Sequence, residues 1–328
     1  LINNLWGLNN TGAGGRFDAD IDAFEAWNYQ KGSANVTVAI VDTGGDYRHA
    51  DLSGNNWRNL REIPGNGIDD DGNGFVDDIY GYDFANRDGD PMDDHSHGTH
   101  VAGTIGAVGN NGIGISGVSQ DVSLMHLKFM GSGGSGSTAD AARAVNYAAS
   151  MGADVINASF GGGGYSSVMN SAISYANSKG VLFVASAGNS SSNNDVSPHY
   201  PDGYNVPNVI SVAATDRNDQ LSSFSNYGQA SVDLGAPGSS ILSTMPGGGY
   251  ATKSGTSMAA PHVAGAAALL LAENPNLTPQ QVKNILMSTA DRVSSLQGKT
   301  VSGGRLNINN AVINSRRNWQ NKDIVLGK

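Results

Sequence analysis

The chain has 328 residues, a formal net charge of -10, 39% hydrophobic and 15% charged residues, 45 glycines and no cysteine. The acidic balance lacks the basic footprint by which proteins hold nucleic acid, and a chain without cysteine forms no disulfide and does no thiol chemistry. No apolar run reaches the roughly 20 residues of a membrane span; the longest, around residues 263–272, is too short. The chain starts at Leu1 without an initiator Met or a signal-peptide pattern and reads as a processed form. That start, the low lysine content and the acidic loops described next favour export. No composition shift suggests a linker between two cores, so one α/β domain is expected.

A short helical pattern covers Ile21 to Trp27. Residues 36–42 form a near-continuous apolar run ending in Asp42 and a turn, the pattern of a strand buried on both faces of a parallel sheet. Asp51 follows at another turn. Residues 65–94 are densely acidic. Within them, Asp69-Asp70-Asp71-Gly72-Asn73-Gly74 follows the D-x-D-x-N-G pattern of a calcium loop, with Asp69, Asp71, Asn73, the Phe75 carbonyl and Asp77 or Asp78 as expected ligands. Tyr80 stands where a helix–loop–helix calcium site carries its Glu, so a full EF-hand is not expected. The plainer alternative is a solvated acidic loop, but acids this close repel without a cation.

His95, His97 and His100 open a second helix. Three histidines at this spacing could bind zinc and serve a metal-dependent hydrolase. The Asp that usually accompanies such a cluster is missing, and Gly98 and Val101-Ala102-Gly103 suit close helix packing. Strands are expected at residues 122–129, 154–159, 181–185 and 209–213, and helices at 139–151 and 167–179. A Gly/Ser run fills 131–136, and a hairpin-like stretch leads to Ser254. Residues 254–265 read as a turn that delivers Ser257 to the start of a buried helix ending near Ala272. The unpaired N–H groups there favour negative charge. Pro261 is expected in an early turn of that helix. Thr278-Pro279-Gln280-Gln281 starts a helix running to about Ala290, and residues 307–314 form a closing helix.

A serine hydroxyl is a weak nucleophile until a base takes its proton, histidine suits that work near neutral pH, and a buried carboxylate orients the histidine. Asp42, His97 and Ser257 each stand where an element begins or ends. Their blocks, Val38–Gly44, Asp94–Thr104 and Ser254–Gly265, resemble in this order the signature blocks of the subtilisin-like serine proteases (subtilases), over about residues 5–315. The resemblance implies a three-layer sandwich with a mostly parallel central sheet flanked by helices. It implies a peptidase domain at 1–315 and leaves 316–328 as a tail of unassigned role. Ser257 would be the nucleophile, His97 the base, Asp42 its orienting acid and Asn189 the oxyanion-hole amide.

Further features follow from the same resemblance. An extended substrate would pair by strand addition with Gly134-Ser135-Gly136 on one side and Ser159-Phe160-Gly161 on the other. His199 would stand at the base of the primary specificity pocket, before a cis Pro201. Residues 83–92 resemble a calcium loop of thermitase-like subtilases, with Asp83, Asn86, Asp88, Asp90 and the Met92 carbonyl as ligands. Residues 109–115 resemble the tightest calcium site of the family, with carbonyls of Gly109, Ile113 and Ile115 and side chains of Asn111 and Asp51. Ile2 stands where the family adds a ligand from its N-terminal arm; Asn3 or Asn4 could substitute. In all, two to three calcium ions are expected. The function implied is a secreted, calcium-stabilised serine endopeptidase acting on protein or peptide substrates, made with an N-terminal propeptide and monomeric. The alternatives are a zinc hydrolase using His95, His97 and His100, and an inactive calcium-dependent binding module on the same scaffold.

Overall fold

Strand β1 (Gly32–Asp42) explains the layering. Val38 and Ile40 pack into one apolar cluster, Ala39 and Val41 into another, and all four are fully buried. Successive strand side chains point to opposite faces, so a strand apolar at every position must be covered on both. In the computed structural model, which describes residues 1–326 and side chains through 317, β1 sits inside a nine-stranded sheet. The remaining strands are β2 (Gly81–Asp83), β3 (Asp121–Lys128), β4 (Val155–Ala158), β5 (Leu182–Ser186), β6 (Val209–Thr215), β7 (Leu234–Pro237), β8 (Ile241–Met245), β9 (Gly249–Lys253), β10 (Asp291–Arg292) and β11 (Gly304–Arg305). The sheet order is β10-β11-β7-β6-β5-β4-β1-β3-β2, and β8 and β9 form a separate antiparallel hairpin. Within the large sheet only the β10–β11 pairing is antiparallel.

Seven helices accompany the strands among the described residues: α1 (Ala23–Ala26), α2 (His97–Gly106), α3 (Thr138–Ser150), α4 (Ser167–Ser178), α5 (Thr256–Glu273), α6 (Pro279–Ser288) and α7 (Ile308–Leu326). Helices α2, α5, α6 and α7 share one apolar cluster with the sheet; α3 and α4 share the other. This is the expected three-layer sandwich. The chain first builds outward from β1 through β2 and β3, then returns to its other side with β4. Ligands of open parallel sheets bind at such a reversal, beyond the carboxyl ends of the strands. Asp42 is the last residue of β1, and Ser159 directly follows β4.

Some elements differ from expectation. Helix α1 is shorter because Asp22, at φ 55, is left-handed immediately before it. Strands β2, β10 and β11 are too short to show a period. No strand is expected at 234–237, yet Leu234–Pro237 is a buried strand beside β6. Helix α7 continues past residue 314 to Leu326; of the proposed tail, residues 327–328 lie outside the described residues. Pro261 lies inside α5. Proline has no N–H for the carbonyl four residues earlier, which is that of Ser257, and the Ser159 hydroxyl donates to it at 2.8 Å. Among the described residues, no helix is long and apolar enough to cross a membrane.

Three histidines are buried within these layers. His100 Nε2 lies 3.0 Å from the Ile241 carbonyl and 3.1 Å from that of Ala251, joining α2 to both strands of the hairpin. His126 bonds Asn56 from β3, and His262 bonds the Met258 carbonyl within α5. Burial disfavours the imidazolium, pushing His100 down to about 3 and His126 and His262 to about 4. The unfolded chain therefore takes up these protons first. The stability they contribute is complete above the ordinary value of 6.5 and is lost as the pH falls toward 4. Replacing His262 by Met removes one such group. The gap in melting temperature between wild type and His262→Met should narrow as the pH is lowered from 7 to 4, measured by differential scanning calorimetry; a gap independent of pH would contradict the assignment.

Candidate active site

At the carboxyl end of β1, the Asp42 carboxylate has no exposed surface. Its Oδ1 accepts the His97 Nδ1–H at 2.7 Å and the Thr43 N–H at 2.7 Å. His97 is the first residue of α2. A Cβ on Gly98 would collide with the Gly44 carbonyl oxygen, so only glycine lets the helix start this close to the β1 turn. Buried Asp93 sets the rest of the approach. Its Oδ1 accepts from the Thr43 hydroxyl and the N–H groups of His95 and Ser96; its Oδ2 accepts from the N–H and hydroxyl of Thr99. The Thr43 hydroxyl in turn accepts from Gly98 N–H at 2.9 Å. Burial alone would raise the Asp93 carboxyl, but these hydrogen bonds outweigh it and hold the group below the usual carboxylate value.

Ser257 stands in the first turn of α5. Its hydroxyl donates to the Ser159 carbonyl at 2.9 Å, and the Ser159 hydroxyl donates back to the Ser257 carbonyl. A hydroxyl has one proton, so in this state it is not given to His97. The Asn189 Oδ1 accepts from the Thr256 N–H at 2.8 Å and the Thr256 hydroxyl at 2.9 Å. With its oxygen engaged by α5, the Asn189 amide keeps its NH₂ free to donate. Lys253, just before this turn, donates to the Ser96 hydroxyl at 2.8 Å, which brings the starts of α2 and α5 to one place.

The three histidines that could have shared a metal do not converge. His97 is committed to Asp42 and His100 to the hairpin, while exposed His95 lies against Gly134. The two proposed substrate edges face each other. Gly134, Ser135 and Gly136 line one side of a cavity of about 350 Å³, and Phe160 and Gly161 line the other. Phe129 and Phe160 meet edge to face at 4.6 Å between ring centres. The cis Tyr200–Pro201 bond is present. His199 lies behind Gly161, bonded through Nδ1 to Asp202 at 2.6 Å.

The calcium loops are unequal. Carboxylate oxygens of Glu62, Asp69 and Asp71 lie within 4.8 Å of one another, the only such acidic group among the described residues. Three hard oxygens this close fit a calcium ion. Asp77 instead caps the N–H groups of residues 65–67, and Asp78 is buried against Asn59, Asn73 and Tyr147. Asn73 donates to Asp78, and its own oxygen accepts the Phe75 N–H. In the second loop the Asp83 oxygens are taken by N–H groups of Ala85 and Asn86 and by the Asn86 amide; Asp88 accepts from Asp90 N–H, and Asp90 from Met92 N–H and Tyr47. In the third, buried Asp51 accepts from Asn111, the Ile115 N–H and the Tyr250 hydroxyl. Donors turn toward the acids in the first loop as well, where Glu62 accepts from the N–H groups of Asp70, Asp71 and Asp77, and Asp69 from those of Asn73 and Gly74; what sets that loop apart is the convergence of three carboxylates. Gly109 and Ile113 lie on the same turn as Asn111, whose oxygen accepts the Ile113 N–H.

Glu62, Asp93, Asp202 and Lys253 are site residues that motif reading did not find. Asp93 carried the one available signal, an acid just before a helix start.

A carboxylate-bound histidine at the start of one helix and a serine in the first turn of another, on the carboxyl edge of a parallel sheet, define a candidate nucleophilic hydrolase. The chain belongs to the subtilase family, whose model matches residues 33–311. It is 41% identical over 287 residues to the thermophilic serine proteinase of Bacillus sp. (strain AK1), covering 88% of this chain and 64% of that one. It is 39% identical over 292 residues to thermitase of Thermoactinomyces vulgaris, covering 89% and 93%. Among solved structures, the proteases from Pseudoalteromonas arctica PAMC 21717 superpose with a TM-score of 0.76 at 31% identity, over 96% of this chain and 98% of that one. The chain spans about half the length of the Plasmodium subtilisin-like protease 1 sequences it also matches.

Burial pushes the His97 imidazole down, but the charge and hydrogen bond of Asp42 outweigh it and hold the group above 6.5, while Lys253 works against Asp42. In an NMR titration, His97 should release its proton above pH 6.5, at lower pH in Asp42→Asn and at higher pH in Lys253→Met. A His97 titration that Lys253→Met leaves in place would show that solvent screens the lysine.

Proposed function

We propose that this chain is a secreted, calcium-stabilised serine endopeptidase that cuts extended stretches of protein or peptide. The observation that carries the reading is the 2.7 Å bond from His97 to buried Asp42, at the sheet edge where α5 presents Ser257. The Ser257 hydroxyl turns from the Ser159 carbonyl to His97 Nε2, the ring nitrogen Asp42 leaves free. As Oγ attacks the substrate carbonyl, its proton passes to Nε2, and Asp42 stabilises the imidazolium. The resulting oxyanion takes hydrogen bonds from the Asn189 NH₂ and the Ser257 N–H. Collapse breaks the C–N bond: the leaving amine takes the proton from Nε2 and the acyl group stays on Oγ as an ester. Water then attacks that ester with His97 again the base, releasing the acid and restoring Ser257.

Glu62, Asp69 and Asp71 would hold a calcium ion, whose charge would offset three clustered carboxylates that Arg61, paired with Asp71 at 3.2 Å, only partly balances. Extracellular calcium suffices for sites of modest affinity, in keeping with secretion. A precursor with an N-terminal propeptide and a monomeric mature chain complete the reading. The divergent commitments of His95, His97 and His100 favour this over a zinc hydrolase, and the intact Asp42–His97 pair favours it over an inactive binding module.

Ser257→Ala should lower kcat on a generic protein substrate by about a millionfold, the scale known for subtilisin itself, and phenylmethylsulfonyl fluoride should label Ser257. Asn189→Ala should cost about 100- to 1,000-fold in kcat, again the range known for subtilisin. Turnover that survives Ser257→Ala defeats the mechanism. Separately, excess chelator should lower the melting temperature, because a ligand held only by the native state stabilises it by mass action. The variant Asp69→Asn/Asp71→Asn should lose most of that response; a melting temperature indifferent to chelator rejects calcium stabilisation.

A further inference from the structure

His199 occupies a position between the two walls that flank Ser257. One wall is the segment after β4: the Ser257 hydroxyl bonds the Ser159 carbonyl, and two residues on, a Cβ added to Gly161 would overlap His199 Cε1 and lie 2.6 Å from Nε2. The other wall is the turn after β5: Asn189 bonds Thr256, and a Cβ on Gly188 would lie 3.1 Å from His199 Cδ2. The ring is thus wedged between two glycines, each on a segment bonded to the first turn of α5. A substrate side chain on the carbon next to the attacked carbonyl, pointing between those walls, runs into this imidazole.

The ring is held there from behind. Nδ1 donates to the Asp202 carboxylate, which has no exposed surface, while the His199 side chain keeps 22% of its own. Asp202 also accepts from the Ser211 hydroxyl at 2.8 Å and the Asn194 amide at 3.1 Å. Asn194 accepts from Asn226, whose oxygen takes the N–H groups of Ser190 and Ser192, just beyond Asn189. A buried carboxylate oxygen is costly without a partner, and the ring cannot swing away without leaving the Asp202 Oδ1 unpaired, since Ser211 and Asn194 both bond Oδ2. With Nδ1 engaged, Nε2 is the ring nitrogen left to pair, on the side of the ring next to Gly161.

Resting on the endopeptidase reading above, we propose that His199, fixed by Asp202, closes the floor of the pocket for the acyl-side residue and makes that pocket select short hydrogen-bonding side chains, Ser, Thr or Asn, over Phe and Leu. Serine and threonine hydroxyls and the asparagine amide each both donate and accept, so they pair with Nε2 whether or not it carries a proton. A large apolar side chain meets a fixed ring and leaves Nε2 unpaired, and a site built to hydrogen-bond rejects such analogues strongly.

The test is the kcat/KM profile of the purified chain on peptides that differ only at the acyl-side residue, in wild type and two variants. His199→Asn keeps a side-chain N–H at the distance of Nδ1, able to bond Asp202, and removes the part of the ring that faces Gly161. His199→Gly/Asp202→Asn removes the ring and the buried charge together, in case the first variant folds poorly. Wild type should prefer Ser, Thr or Asn to Phe and Leu by at least about tenfold. In either folded variant, kcat/KM for Phe should rise by about tenfold or more while that for Ser rises less. A wild type that prefers Phe, or a profile that neither variant moves, overturns this inference while leaving the endopeptidase intact. A wild type that cleaves none of the peptides, and is not labelled at Ser257, overturns the endopeptidase reading and this inference with it.

Discussion

The bond between His97 and Asp42 depends on a carboxylate that belongs to neither. Asp93 takes the Thr43 hydroxyl, one residue after Asp42, and the N–H groups of His95 and Ser96, just before His97. One buried acid therefore fixes how the end of β1 meets the start of α2. It also neutralises donors that the first turn of a helix would otherwise leave unpaired. Thr43 closes the loop by accepting from Gly98. Arrangements of this kind are stiff because loss of any member strands the others in a low-dielectric interior.

A second reciprocal device holds the start of α5. Pro261 removes the N–H that would have used the Ser257 carbonyl, and the Ser159 hydroxyl uses it instead. The residue that follows β4 is thereby bonded to the residue that α5 presents. The same two residues are joined a second time, hydroxyl of Ser257 to carbonyl of Ser159. The unliganded rotamer of the serine is thus a hydrogen-bonded one, and contact with His97 requires that bond to be exchanged.

Much of this was legible in the linear sequence. The fully apolar β1 pattern announces a two-faced parallel strand. The three blocks around Asp42, His97 and Ser257 carry enough residues in a fixed order to indicate both architecture and family. Asp202 and Lys253 were not legible as site residues, because what matters about them is a partner far away in sequence or a depth of burial. The acidic loops show the limit from the other side. Spacing alone treats Asp69, Asp77 and Asp78 alike, yet the fold turns Asp77 onto backbone N–H groups and buries Asp78 against Tyr147, while Glu62, outside the motif, joins Asp69 and Asp71. Strand β7 was missed because Gly and Pro read as turn residues even where a strand at this depth can use them.

The position of β1 also bears on how the chain reaches this state. It is the first strand in sequence and yet pairs on one side with β3 and on the other with β4. A growing chain makes β1 long before it makes either neighbour, and α5, which covers it, comes near the end. Topologies dominated by distant contacts fold slowly, and here an apolar strand must wait, uncovered, for most of the polypeptide to appear. Helix α5, which carries Ser257, consequently takes its place against β1 only at a late stage of assembly, and the first turn of α5 meets the segment after β4 later still than β1 meets β3.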